Sequence, residues 1–156
     1  MKKTNNKGFS LVELIIVIAI MAILIGVLAP QYIKYVEKSR VSADKDLLDS
    51  VYNALTTAAG DPDISTGTIL GSGSYTFTSF SGNGSDVDFS SVVLDTLGQG
   101  LSGSGASVEG KLKSKIAKEA GSNVISISVD ANGNYTVYTG QQNDSSSGIT
   151  VGAGAN

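Results

Sequence analysis

The most constraining feature of this chain is a run of sixteen residues, Leu14 to Ala29 (LIIVIAIMAILIGVLA), without a single charged side chain. From Phe9 to Ala29 the apolar segment is 21 residues long, about 31 Å as a helix at 1.5 Å per residue. The hydrocarbon core of a bilayer is about 30 Å thick, so the length matches a membrane span. The rest of the chain is of another kind. Its last hundred residues are dominated by Ser, Gly, Thr, Asn and Asp. An apolar rod is joined to a polar body.

Composition narrows the chemistry. The 156 residues include no Cys, His or Trp. Disulfides, thiol nucleophiles, His-based triads and His/Cys zinc sites are therefore impossible. Eleven Lys and Arg against 14 Asp and Glu give a net charge of −3, which argues against a general nucleic-acid binder.

Three readings of the apolar run compete. Lys2, Lys3 and Lys7 make a basic leader, and Val27-Leu28-Ala29 has the small-residue character of a secretory cleavage site. Against a secretory signal stand Glu13, a carboxylate inside the run, and Pro30, directly after the cut. A plain membrane anchor leaves Glu13 to explain, because a mid-span acid costs roughly 2.5–3.5 kcal/mol, less near the edge. Lys34, Lys38 and Arg40 follow the span as the other lysines precede it, so flanking charge gives no orientation.

The third reading accounts for Gly8, Phe9, Glu13 and Pro30 together. Gly8-Phe9-Ser10-Leu11-Val12-Glu13 closely resembles the type III signal of type IV pilins and related pseudopilins. The likeness covers Lys7 to about Arg40. It implies that a prepilin peptidase in the membrane cuts after Gly8 and that Phe9, the new N-terminus, is N-methylated. It implies that Glu13 meets the Phe9 amine of a neighbouring subunit during assembly, and that the helix stretches or melts near Gly26 and Pro30 when subunits pack. Pro30 lacks an amide hydrogen and Gly26 is a poor helix former, so propensity also makes Gly26–Pro30 the place for a kink.

The implied organisation is a leader at 1–8, a transmembrane and filament-core helix at 9–29, the amphipathic half of the same helix at 30–59, and a head at 60–156 with a loose Ser/Gly-rich tail. The implied function is a structural subunit of a type IV pilus, not an enzyme, with no cofactor or metal. Such filaments serve adhesion, twitching motility, aggregation or DNA uptake. Its partners are copies of itself, the prepilin peptidase, the pilus assembly platform and the cytoplasmic membrane, with no specific nucleic acid. The precursor spans that membrane once before joining a filament on the cell surface. Two alternatives stand beside this. One is a type II secretion pseudopilin, disfavoured because the calcium-site carboxylates usual near that C-terminus are missing after Asp144. The other is a membrane-anchored extracellular binding module that never polymerises and keeps Met1–Gly8. Many Gram-negative pilins staple the head with a disulfide, and this chain departs from that pattern. Without Met1–Gly8 and its three lysines, eight basic and 14 acidic residues remain, and the side chains sum to −6.

Beyond Pro30 an amphipathic helical pattern continues: Val41, Leu48 and Leu55 are seven apart, as are Val51 and Ala58, with Leu47 and Ala54 beside them. A helix from Phe9 to Ala59 would be 51 residues, about 77 Å, stopped by Gly60 and Pro62. Arg40–Asp44 and Lys45–Asp49 have the i,i+4 spacing of surface ion pairs. The fold class is α+β, with this helix packed against a small antiparallel sheet. Ser74–Phe80 alternates as a strand. Ser85-Asp86-Val87-Asp88 caps a helix carrying Phe89, Val92, Val93 and Leu97, and a second helix is expected from Val108 to Ala120, ended by Gly121.

Val124–Asp130 and Tyr135–Thr139 make a hairpin. A two-residue Asn-Gly loop pairs Val129 with Thr136. A three-residue loop with Gly133 left-handed pairs Val129 with Tyr135 and Ile127 with Val137, which puts more apolar side chains on one face and is preferred. Ile149–Val151 can add an edge strand. Asp130–Asn134 faintly resembles a calcium loop, but its Gly is displaced and Gln141 stands where the closing Glu belongs, so a turn is preferred. Lys111, Lys113, Lys115 and Lys118, bracketed by Glu109 and Glu119, read as a solvated helix face. Asp61/Asp63 and Asp86/Asp88 read as turn and cap residues rather than an acid/base pair.

Overall fold

In the computed structural model, residues 8–119, 123–140 and 148–153 are described. The chain divides into two compact units, Met1–Val36 and Glu37–Asn156. Helix α1, Leu11–Ala59, enters both. In the first unit every residue from Gly8 to Tyr35 is exposed. In the second, α1 buries Asp44, Leu48, Val51, Ala54, Leu55 and Ala58. Those spacings of three and four place one stripe on one face, and Val41 and Leu47 flank it half-buried. The helix stops as expected. The amide of Gly60 donates to the carbonyls of both Thr56 and Thr57, and Pro62 cannot continue the ladder.

Four strands, β1 (Gly73–Thr76), β2 (Ile125–Val129), β3 (Tyr135–Thr139) and β4 (Thr150–Gly152), form an antiparallel sheet in that order. Ile125, Ile127, Val129, Tyr135, Val137 and Val151 join the buried α1 stripe in one hydrophobic core. The preferred hairpin register holds: Val129 pairs with Tyr135 and Ile127 with Val137. Gly133 has φ +81°, a value that strains any residue with a Cβ. Its amide closes the turn on the Asp130 carbonyl at 3.1 Å.

Three expectations are corrected. The strand through Phe80 ends at Thr76, where Phe77–Ser79 turns into a 3₁₀ helix. A strand would send Phe77 and Phe80 to opposite faces. A three-residue turn puts them on the same side, and their rings stack at 4.7 Å with both residues buried. Next, the helix expected over Val108–Ala120 is two short helices, α3 (Gly105–Glu109) and α4 (Lys115–Glu119); Ala120 and Gly121 lie outside the described residues. Finally, Arg40 pairs with Glu37 at 3.6 Å, not with Asp44, which is buried. Between β1 and α3, α2 (Phe89–Thr96) is capped as expected, by the Asp88 carboxylate accepting from the Ser91 amide.

Candidate functional site

The expected site residues lie at the start of α1. Gly8 and Phe9 precede the helix and are exposed, Phe9 to 85%. A Cβ added at Gly8 would meet nothing within 4 Å, so nothing inside this chain demands glycine there. Glu13 is in the first helical turn, where a carboxylate opposes the positive end of the helix dipole.

Sequence reasoning missed a second task for Glu13. The Ser10 amide donates to Glu13 Oε2 at 3.3 Å, and the Leu14 amide donates to the Ser10 carbonyl. Ser10-Leu11-Val12-Glu13 has the Ser-x-x-Glu pattern of a capping box, in which the third-residue carboxylate reaches back to the N-cap amide. The signal was legible in the motif itself.

Gly26 and Pro30 both lie inside α1. The helical partner of the Gly26 carbonyl would be the amide of residue 30, which proline lacks. Around them the large apolar side chains from Phe9 to Leu28 are between 48% and 85% exposed. α1 is long and apolar enough to cross a membrane by length and composition.

The other candidates are accounted for by their own loops. Asp130 Oδ1 accepts from the amides of Asn132 and Asn134, and Oδ2 accepts from Asn134 Nδ2. Those bonds, the Asn134 side chain's foremost, hold its carboxyl below the ordinary 3.8 and close a hairpin turn with it. Asp61 Oδ1 accepts from the Asp63 amide within its turn. The four lysines are exposed, but Lys111 and Lys113 are in the turn between α3 and α4, so they do not form one helix face. Glu109 is buried, accepting from Thr78 Oγ1 at 2.7 Å and the Ile125 amide at 3.0 Å. Asp44 takes the amides of Lys113 and Ser114 at 2.9 and 2.7 Å. Neither role was visible in sequence.

A family profile described as the prokaryotic N-terminal methylation motif matches residues 3–29, the stretch holding Gly8, Phe9, Glu13 and Gly26. The N-terminal segment is similar to that of type IV pilins. The type IV major pilin protein PilA of Myxococcus xanthus is 42% identical over 50 residues, 32% of this chain and 23% of that protein. A type IV major fimbrial protein FimA of Dichelobacter nodosus is 50% identical over 40 residues, 26% of each chain. The pilin likeness thus spans about a quarter of the length of these relatives. No solved structure matches.

Proposed function

We propose that this chain is a structural subunit of a type IV pilus and not an enzyme. The observation that carries the reading is the first part of α1: a methylation-motif segment whose large apolar side chains all face outward. Water does not tolerate so continuous an apolar surface. A bilayer covers it in the precursor, and the helices of sister subunits cover it in the filament. A prepilin peptidase cuts after Gly8, a position where no internal contact requires glycine, and Phe9 becomes the N-methylated terminus. Glu13 then pairs with the Phe9 amine of a neighbour. A buried carboxylate without a partner is strongly disfavoured, so the pair favours one docking register. Gly26–Pro30 is the kink, where the missing hydrogen bond lets the helix bend or open as subunits pack. The precursor spans the cytoplasmic membrane, and the pilus assembly platform draws it into a surface filament serving adhesion, motility, aggregation or DNA uptake.

N-terminal mass spectrometry of the protein from its native membrane tests this directly. The expected species begins at Phe9 and carries one added methyl group. A chain retaining Met1–Gly8 would refute the pilus reading and leave a plain membrane-anchored module.

A further inference from the structure

Residues 60–156 contain four basic side chains, all inside the eight-residue window Lys111–Lys118. The structure fixes where that window lies. Buried Asp44 of α1 accepts the amides of Lys113 and Ser114, and Glu37 accepts the amide of Lys115. The backbone is therefore clasped to α1 while the lysine side chains stay exposed. Beside the clasp is a groove of about 490 Å³ lined by Ala43, Asp44, Leu47, Gly110, Lys111 and Lys113. Its lining includes two aliphatic residues, Ala43 and Leu47, and two lysines, Lys111 and Lys113. Both Asp44 oxygens are taken up by backbone amides, so its charge is met within the wall.

We propose that this groove receives the Asp61-Pro62-Asp63 turn of a second copy of the chain. The turn presents an apolar ring, free of an amide hydrogen, between two carboxylates. Pro62 and Asp63 are exposed and the next residue, Ile64, is buried, so the turn is a firmly anchored projection. Two carboxylates match the two lysines of the lining, and the proline ring matches its aliphatic residues Ala43 and Leu47. Asp61 Oδ1 accepts from the Asp63 amide within the turn, as Asp88 and Asp130 accept from amides of their own loops; the turn differs from them in holding a proline ring between two carboxylates.

Groove and turn are about sixteen residues apart in sequence along α1, roughly 24 Å of helix. One copy's turn in another's groove is a head-to-tail contact between different surfaces. With helix axes parallel, such a contact repeats without closing and builds a filament rather than a dimer.

This deepens the pilus reading and rests on it. The absence of native cysteine makes the test clean. Filaments of the double variant Lys113→Cys/Asp63→Cys, treated with a short bismaleimide because a lysine–aspartate pair holds its Cα atoms farther apart than the roughly 7 Å a disulfide spans, should give a ladder of crosslinked multimers, while each single variant stays monomeric. Filaments without the ladder overturn the docking and leave the pilus reading intact. A wild-type chain that forms no filaments removes both. Charge exchange gives a second reading that needs no crosslink. Lys113→Asp and Asp63→Lys should each lower filament yield about tenfold, as like charges then face each other, and the combined variant should restore it. Equal yields in all three, at equal membrane levels of subunit, would overturn the proposal.

Discussion

The two parts of α1 obey the same helical geometry and have opposite surroundings. From Phe9 to Leu28 the large apolar side chains are at least 48% exposed. Between Leu48 and Ala58 the inward stripe of Leu48, Val51, Ala54, Leu55 and Ala58 is wholly buried. The difference lies in the pattern. The later stretch confines its apolar residues to one face, and the sheet, α2 and the aromatic cluster suffice to cover it. The earlier stretch is apolar on every side, and its large side chains stay exposed. An amphipathic helix can be completed within its own chain. A helix apolar all round has to find its cover outside.

The sharpest way to break that comparison is at the one charge in the outward-facing stretch. Glu13→Val should leave cleavage after Gly8 intact and abolish filaments, judged by electron microscopy beside N-terminal mass spectrometry. Normal piliation would remove Glu13 from assembly. Glu13→Gln separates its two tasks, because glutamine still serves a capping box but carries no charge. It too should lose filaments if the ion pair matters.

Next in size are matched truncations on either side. Leu48→Ala should lower the unfolding free energy of the head by about 2–5 kcal/mol, the usual cost of emptying a buried leucine site. Ile18→Ala should leave head unfolding unchanged in detergent, with each variant followed by denaturant titration. A head as sensitive to Ile18 as to Leu48 would mean that both stretches are covered from within. Smaller again is Asp44→Ala, which strands the Lys113 and Ser114 amides and should cost about 1–3 kcal/mol. The exposed neighbour change Asp46→Ala should stay within about 0.5 kcal/mol.

These residues also show how far the fold was legible beforehand. The α1 stripe, the α2 cap and the hairpin register follow from local spacing, and Gly133 follows from the φ its loop requires. The N-terminal motif is local too. Asp44 and Glu109 were opaque because their partners are backbone amides remote in sequence, 69 and 70 residues away for Asp44 and 16 for Glu109. A carboxylate meant for a buried amide looks, in sequence, like one meant for a surface lysine. The i,i+4 spacing of Arg40 and Asp44 therefore points to a pair that the fold replaces with Arg40–Glu37. The strand through Phe80 failed for a related reason. Alternation of Thr and Phe fits a strand, and what ends it is the gain from stacking Phe77 on Phe80, with Phe89 6.3 Å beyond. α3 reaches this cluster because Gly105 has no side chain; a Cβ there would lie 1.8 Å from the Phe77 carbonyl oxygen.

The smallest effect concerns a carboxylate of the opposite kind to Asp44. Asp130 is fully exposed, and its bonds come from its own loop, chiefly the Asn134 side chain and then the Asn134 amide. They favour the ionised form, so its folded pKa is below the unfolded one. A group of this sign contributes stability at pH above its unfolded pKa and loses it as pH falls through the folded value. The expected window therefore starts near the ordinary 3.8 and extends downward, leaving neutral pH untouched. An NMR titration should place the Asp130 midpoint below that value, and Asn134→Ala should move it back upward while the Val129–Tyr135 pairing survives. A midpoint unmoved by Asn134→Ala would show that backbone amides alone hold the charge. The turn would then depend on the conformation that Gly133 permits rather than on its side chains.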